Sequence, residues 1–296
     1  MDRTGASELT FSPTIDTKIL REAGIGFSST YTIMPGFCDV HAHFREPVFS
    51  YKRTVATASM AAAHGGYTAV CTLSDTDPAA DPSVHRDLQQ AITNDDVHIR
   101  GICSEPEWRQ MERDIRLADE AGHAFHVCNV STKEGISIIR EAKKSGVNVT
   151  CETAPHYLLL DDSLIEEGGK WKIDPPLRSA SDREALLEGL SDGTIDCIAS
   201  GTSGIETAFP LVYTYLVMPG IITMDRLEQL LVYNPRRIFG IPLGNDYSVW
   251  DLTEEWSIEN EELLSTGSVT PFEGWRVMGR NYLTVCGGTI AYSAAW

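Results

Sequence analysis

The chain has 296 residues and sets 24 lysines and arginines against 42 aspartates and glutamates, a formal charge of −18 at pH 7. That charge repels phosphate backbones and anionic headgroups, which excludes nucleic acid and membrane surfaces as partners. The length can bury one barrel-sized core with a small appendage.

Met1-Asp2-Arg3-Thr4-Gly5 opens no basic-then-apolar signal, and no apolar run approaches the length of a bilayer span, so a chain that is not exported is expected. Residues 1–34 show no helical period and scatter Thr, Ser and Gly, which leaves a frayed terminus and a strand-forming segment both open. From Phe37 onward short apolar or β-branched runs alternate with amphipathic segments, the pattern of repeated βα units around a parallel sheet. Strands are predicted at Phe37–His41, Tyr67–Leu73, Val97–Ile102, Ala124–Val130, Val147–Glu152 and Ile195–Ser200. That makes six, where a closed (β/α)₈ barrel needs eight.

Serines three residues before an acid at Ser104-Glu105-Pro106-Glu107, Ser131-Thr132-Lys133-Glu134 and Ser181-Asp182-Arg183-Glu184 predict capped helix starts. Gly122 and Gly146 stand where two of those helices should end. Beyond residue 241, Ser248–Leu252 and Leu283–Ile290 read as short strands separated by turns. The seven cysteines, Cys38, Cys71, Cys103, Cys128, Cys151, Cys197 and Cys286, stand singly and mostly in apolar runs. Without Cys-x-x-Cys spacing they predict buried reduced thiols and a cytoplasmic location.

The chemistry concentrates at the end of the first predicted barrel strand, in Met34-Pro35-Gly36-Phe37-Cys38-Asp39-Val40-His41-Ala42-His43-Phe44-Arg45-Glu46-Pro47. Histidines at i and i+2 on a strand share a face, so His41 and His43 can reach one divalent metal from the strand end. Several further stretches follow in order: Ala61–Cys71 through a double glycine, His126-Val127-Cys128-Asn129-Val130-Ser131-Thr132-Lys133-Glu134, Cys151-Glu152-Thr153-Ala154-Pro155-His156-Tyr157, Pro175-Pro176-Leu177-Arg178, Gly204–Ala208 and Asn234–Gly240. Together they resemble the dihydroorotase family, in the cyclic amidohydrolase branch of the amidohydrolase superfamily.

The resemblance implies an α/β fold, a TIM-type (β/α) metallo-dependent hydrolase barrel over residues 35–240. Residues 1–34 and 241–296 would build a small β-sandwich beside it. It implies reversible hydrolysis of dihydroorotate to N-carbamoyl-aspartate in pyrimidine biosynthesis, with one or two zinc ions and metal-activated water. His41, His43 and His156 match metal-ligand positions of the family. Arg45 matches the arginine that holds the substrate carboxylate in a fork of paired N–H bonds. Asp75 and Asp174 stand where its companion asparagines are found, and two carboxylates there would repel the substrate.

The chain also departs from the family pattern. Asn129 replaces a histidine ligand, and a carboxamide is a poor zinc ligand; His126, which precedes the strand end, is expected to pack inside the barrel. Two blocks are missing: strands and helices between Arg100 and Gly101, with the acidic metal-bridging position, and the Ala-Thr-Asp-His-Ala-Pro-His continuation after Ser200. The proton-relaying aspartate goes with the second, so no catalytic residue is assigned, and an incomplete barrel of impaired activity is expected. Three alternatives stay open: a hydantoinase- or allantoinase-type cyclic amidase, a non-catalytic homologue kept for assembly as a homodimer or with an aspartate transcarbamoylase-like partner, and a deletion derivative.

Overall fold

The computed structural model describes residues 17–42, 55–72, 97–100, 107–166, 169–201, 204–265 and 270–296. Strands β2 (Phe37–Ala42) and β3 (Tyr67–Thr72) pair in parallel, and β4 (Val97–Arg100), β5 (Ala124–Val127), β6 (Val149–Thr153) and β7 (Cys197–Ile198) form a second parallel sheet. A parallel bridge from Ala42 to Gly201 sets β2 beside the chain leaving β7. The parallel strands therefore run β3, β2, β7, β6, β5, β4 across the fold, with all carboxyl ends on one side. Each predicted barrel strand overlaps an observed one, because buried parallel strands are short continuous apolar runs between turn residues.

The helices pack on the outer face. Val55–His64 leads into β3, Glu107–Ala121 into β5 and Lys133–Lys144 into β6; Ala180–Asp192 precedes β7. Gly122 and Gly146 close two of these helices at φ 72° and 84°, a left-handed backbone that glycine adopts without a Cβ penalty. Two predicted starts are displaced. Thr132, rather than Ser131, caps Lys133–Lys144 by accepting the Gly135 N–H, while Ser131 is drawn away to the buried Glu107. The third capping box is built by Ser179 with Asp182, two residues earlier than predicted, since the Asp182 side chain returns to the Ser179 N–H. Ser104 lies outside the described residues.

The two chain ends meet in an antiparallel sheet ordered β1-β8-β9-β10, made of Tyr31–Pro35, Tyr247–Ser257, Arg276–Cys286 and Thr289–Ser293. The single predicted strand Leu283–Ile290 is two strands joined at Gly287-Gly288, whose positive φ values of 58° and 76° suit a tight hairpin turn. Helix Thr17–Glu22, for which the sequence carries no period, buries Leu20 against Val249, Leu283 and Val285 of this sheet.

An aromatic cluster ties sheet to barrel. Trp250 of β8 lies 5.9 Å from the ring of Phe37 on β2 and 4.5 Å from Phe209, all three fully buried. Nearby, the buried Arg236 donates to the Gly36 carbonyl at 3.0 Å and to Thr68 Oγ1 at 2.8 Å. A Cβ at position 36 would overlap the Thr68 side chain, so the Pro35-Gly36 entry to β2 is a close-approach requirement.

Candidate active site at the strand ends

A charged side chain has little reason to lie inside a parallel strand unless it is paired. Glu152, on β6, is fully buried and paired twice: Oε1 meets His41 Nδ1 at 2.5 Å, and Oε2 meets His126 Nε2 at 3.3 Å. Burial alone would raise the Glu152 carboxyl, but the charge and hydrogen bonds of His41 and His126 outweigh it and hold it at about 2. His41 donates from Nδ1 to the ionised carboxylate, and its Nε2 points away from Glu152. A carboxylate behind a histidine in this way fixes tautomer and ring orientation for a metal. His126 is packed in the barrel as expected, with Nδ1 2.7 Å from Thr150 Oγ1 and its ring edge-on to Phe239.

Beneath His41, the buried Asp39 accepts the His41 N–H at 3.0 Å and the Ser200 hydroxyl, which locks β2 to the end of β7. Burial pushes the Asp39 carboxyl up, partly offset by the hydrogen bonds from Ser200 and His41.

His156 sits in the first turn of the short helix Pro155–Leu159 rather than on a strand, and is 3% exposed. Its imidazole is driven down to about 3 by burial and by the nearby charge of His41, so it is neutral at ordinary pH. The ring lies against Gly201, where a Cβ would come within 2.9 Å of His156 Cε1. At the end of β5, Asn129 has φ 52°, and its buried Oδ1 has no hydrogen-bond partner among the described residues. Its neighbour Cys128 is buried beside Glu152, and one donor atom each of His41, Cys128 and Glu152 lie within 4.8 Å of one another. Nitrogen, sulfur and carboxylate oxygen are all donor types that metal ions accept.

His41, His126, Cys128, Asn129, Glu152, His156 and Gly201 thus gather at one end of the parallel sheet, where open α/β sheets and barrels carry their sites. Asp174 is exposed in the loop before Pro175, joined to it by a cis peptide bond. His43, Arg45 and Asp75 lie outside the described residues. Sequence reasoning assigned no role to Glu152, Asp39 or Cys128. A lone acid inside an apolar strand run was the available signal for the first two.

A family profile described as dihydro-orotase-like matches residues 31–97. The dihydroorotase of Enterococcus faecalis is 34% identical over 372 aligned residues, covering 88% of this chain and 87% of that protein. The Bacillus cereus dihydroorotase is 33% identical over 371, covering 88% and 87%. Among solved structures, the D-hydantoinase (dihydropyrimidinase) from Thermus sp. superposes with TM-score 0.76 at 18% identity, over 90% of this chain and 86% of that one. The L-hydantoinase (dihydropyrimidinase) from Arthrobacter aurescens gives 0.70 at 21% identity, over 90% and 86%. The fold is accordingly the α/β barrel type of these hydrolases.

Proposed function

The chain belongs to the dihydroorotase family, and from that membership we propose that its strand-end site acts on a cyclic amide bearing a carboxylate, in the reversible hydrolysis of dihydroorotate to N-carbamoyl-aspartate, at a reduced rate. The observation that carries this reading is the buried His41–Glu152–His126 chain, which orients an imidazole for metal at the end of β2. His41, His43 and His156 would hold zinc, which supplies polarisation of the amide carbonyl and a lowered pKa for water. Burial keeps His156 neutral and so competent as a ligand.

Arg45 would bind the substrate carboxylate as a fork, with Asp75 and Asp174 lining the approach. Their negative charge opposes that carboxylate and weakens substrate binding. Gly201 follows the end of β7 and has no side chain to move a proton to the ring nitrogen. Loss of a positioned acid–base group costs about 10²–10⁴-fold in rate.

The 372 aligned residues exceed the 296 of the chain, which supports the reading that internal segments of the relatives, around Arg100–Gly101 and after Ser200, are missing here. The pairing of β1 with β8 supports a division into a barrel over 35–240 and a smaller β unit from 1–34 and 241–296. No helix among the described residues is long and apolar enough to cross a membrane. Buried unpaired thiols such as Cys38, Cys151 and Cys197 support a reducing, cytoplasmic setting.

The test is dihydroorotate turnover by the zinc-loaded chain, followed in both directions beside the Enterococcus faecalis enzyme. Slow turnover that disappears in His41→Ala is expected. Turnover equal to the relative would overturn the impairment, and none at all would favour a non-catalytic homologue kept for assembly.

A further inference from the structure

We propose that a cavity between helix Val55–His64 and the terminal antiparallel sheet binds a small organic cation of the alkylammonium class, at a site separate from the strand-end centre. The cavity measures about 180 Å³, and its walls include His64, Glu206, Trp256 of β8, Arg280 of β9 and Tyr292 of β10. His64 ends its helix just before β3 begins, so the cavity lies by the amino end of that strand. None of its lining residues belongs to the group gathered at the carboxyl ends.

The aromatic lining is the first observation. Three of the chain's six tryptophans, Trp250, Trp256 and Trp296, line this one cavity together with Tyr292. The Tyr292 and His64 rings stand 4.8 Å apart, inclined at 38°. Ring faces carry the negative part of the aromatic quadrupole, so several rings around one space favour a cation. The Arg280 guanidinium already stands 5.7 Å from the centre of the Trp256 ring.

Charge is the second. Glu206 is buried and accepts from His64 Nδ1 at 2.6 Å, from the Leu264 and Ser265 N–H groups at 2.8 Å each, and from the Ser265 hydroxyl. Burial alone would raise this carboxyl, but the hydrogen bonds from His64 and Ser265 outweigh it and hold it below its ordinary value. The wall therefore carries a fixed negative charge, to which the exposed Glu262 adds a second. Arg280 opposes them, but it faces Glu254 at 3.8 Å. A chain of charge −18 also draws small cations toward its surface and repels anions.

Size is the third. A cavity of about 150 Å³ admits a benzene ring, so this one admits a methylated ammonium with a short arm. An uncharged apolar guest would leave the Glu206 charge without compensation, which disfavours it.

Choline and its uncharged isostere 3,3-dimethyl-1-butanol are the probes, titrated into the full chain by calorimetry. Choline should bind at one site, and the alcohol about tenfold more weakly or less. Tyr292→Leu keeps apolar bulk but removes a ring face, and should weaken choline about three- to tenfold. Glu262→Gln should weaken it about two- to fivefold. Circular dichroism checks that both variants fold, and the exposed Glu262 decides if Tyr292→Leu does not. Absence of choline binding at millimolar concentration overturns the proposal. Equal affinity for the alcohol overturns recognition of the charge, and choline affinity unmoved by the folded variants overturns the assignment to this cavity. Each result stands apart from dihydroorotate turnover.

Discussion

His41 Nδ1 lies 2.5 Å from Glu152 Oε1, and both side chains are buried. The pair joins β2 to β6 although 111 residues separate them in the chain. Glu152→Gln keeps the shape but places an amide between two histidines that both need an acceptor. Removing one partner of a buried pair costs about 3–5 kcal/mol, and losing the carboxylate behind a metal-bound histidine costs about 10–100-fold in affinity. Urea unfolding and a zinc titration of the variant should show both losses. An unchanged zinc affinity would mean that Glu152 only holds strands together.

Gly201 and His156 compete for one volume. A Cβ at position 201 meets the imidazole at 2.9 Å, and φ there is 69°. Gly201→Ala should therefore destabilise by about 1–3 kcal/mol, from backbone strain and crowding combined. Pairing it with His156→Ala should recover the crowding part, measured as a double-mutant cycle by urea unfolding. Gly201→Asp should fail to restore turnover, because the ring stands where the new carboxylate would need to go.

Asn129→His should raise the number of zinc ions retained after dialysis, since imidazole is the better ligand and histidine tolerates left-handed backbone. Turnover should stay within a few-fold of the parent chain if, as proposed above, Gly201 stands where the acid–base group is needed. Restoration to the rate of a dihydroorotase relative by this single change would sink the proposed account of the impairment.

Acid should destabilise the protein in two stages. His156 has its folded value lowered to about 3 against 6.5 in the unfolded chain, so its contribution is complete above pH 6.5 and falls away as the pH drops toward 3. Glu152 is lowered to about 2 from 4.5, so its contribution is complete above 4.5 and falls away toward 2. Each group steepens the dependence by about 1.4 kcal/mol per pH unit within its window. Unfolding of the metal-free protein from pH 7 to 4.5 should show the first slope, and His156→Gln should flatten it.

Much of the barrel was readable because its signals are local. Tyr67–Thr72 is an apolar run closed in front by a double glycine, and Gly122 and Gly146 end their helices through backbone freedom alone. Helix Thr17–Glu22 was unreadable: six residues make under two turns, and Leu20, with Ile19 partly buried beside it, is what packs on the sheet that justifies it. The caps slipped where tertiary contacts won, as when Glu107 took Ser131 from its helix. At the site, His41 could be read from its spacing to His43. The seating of Glu152 between His41 and His126 depends on β2, β5 and β6 lying close together, which no local pattern states.

Glu107 offers a test of how the site is held from behind. It is 2% exposed at the start of helix Glu107–Ala121 and accepts from the Ser131 N–H at 2.8 Å, from the Ser131 hydroxyl and from Arg178 Nη2 at 3.4 Å. One carboxylate thus binds the turn after Cys128 and Asn129 to the segment that follows Asp174. Glu107→Ala leaves the Ser131 N–H and a half-buried guanidinium without their acceptor, for an expected loss of about 3 kcal/mol or more. Hydrogen exchange should accelerate at Asn129–Thr132, while β9, remote from this contact, stays protected. Zinc affinity should fall with it, because the end of β5 beside His41 and Glu152 would lose its fixed place; retained affinity alongside faster exchange would separate the metal site from this turn.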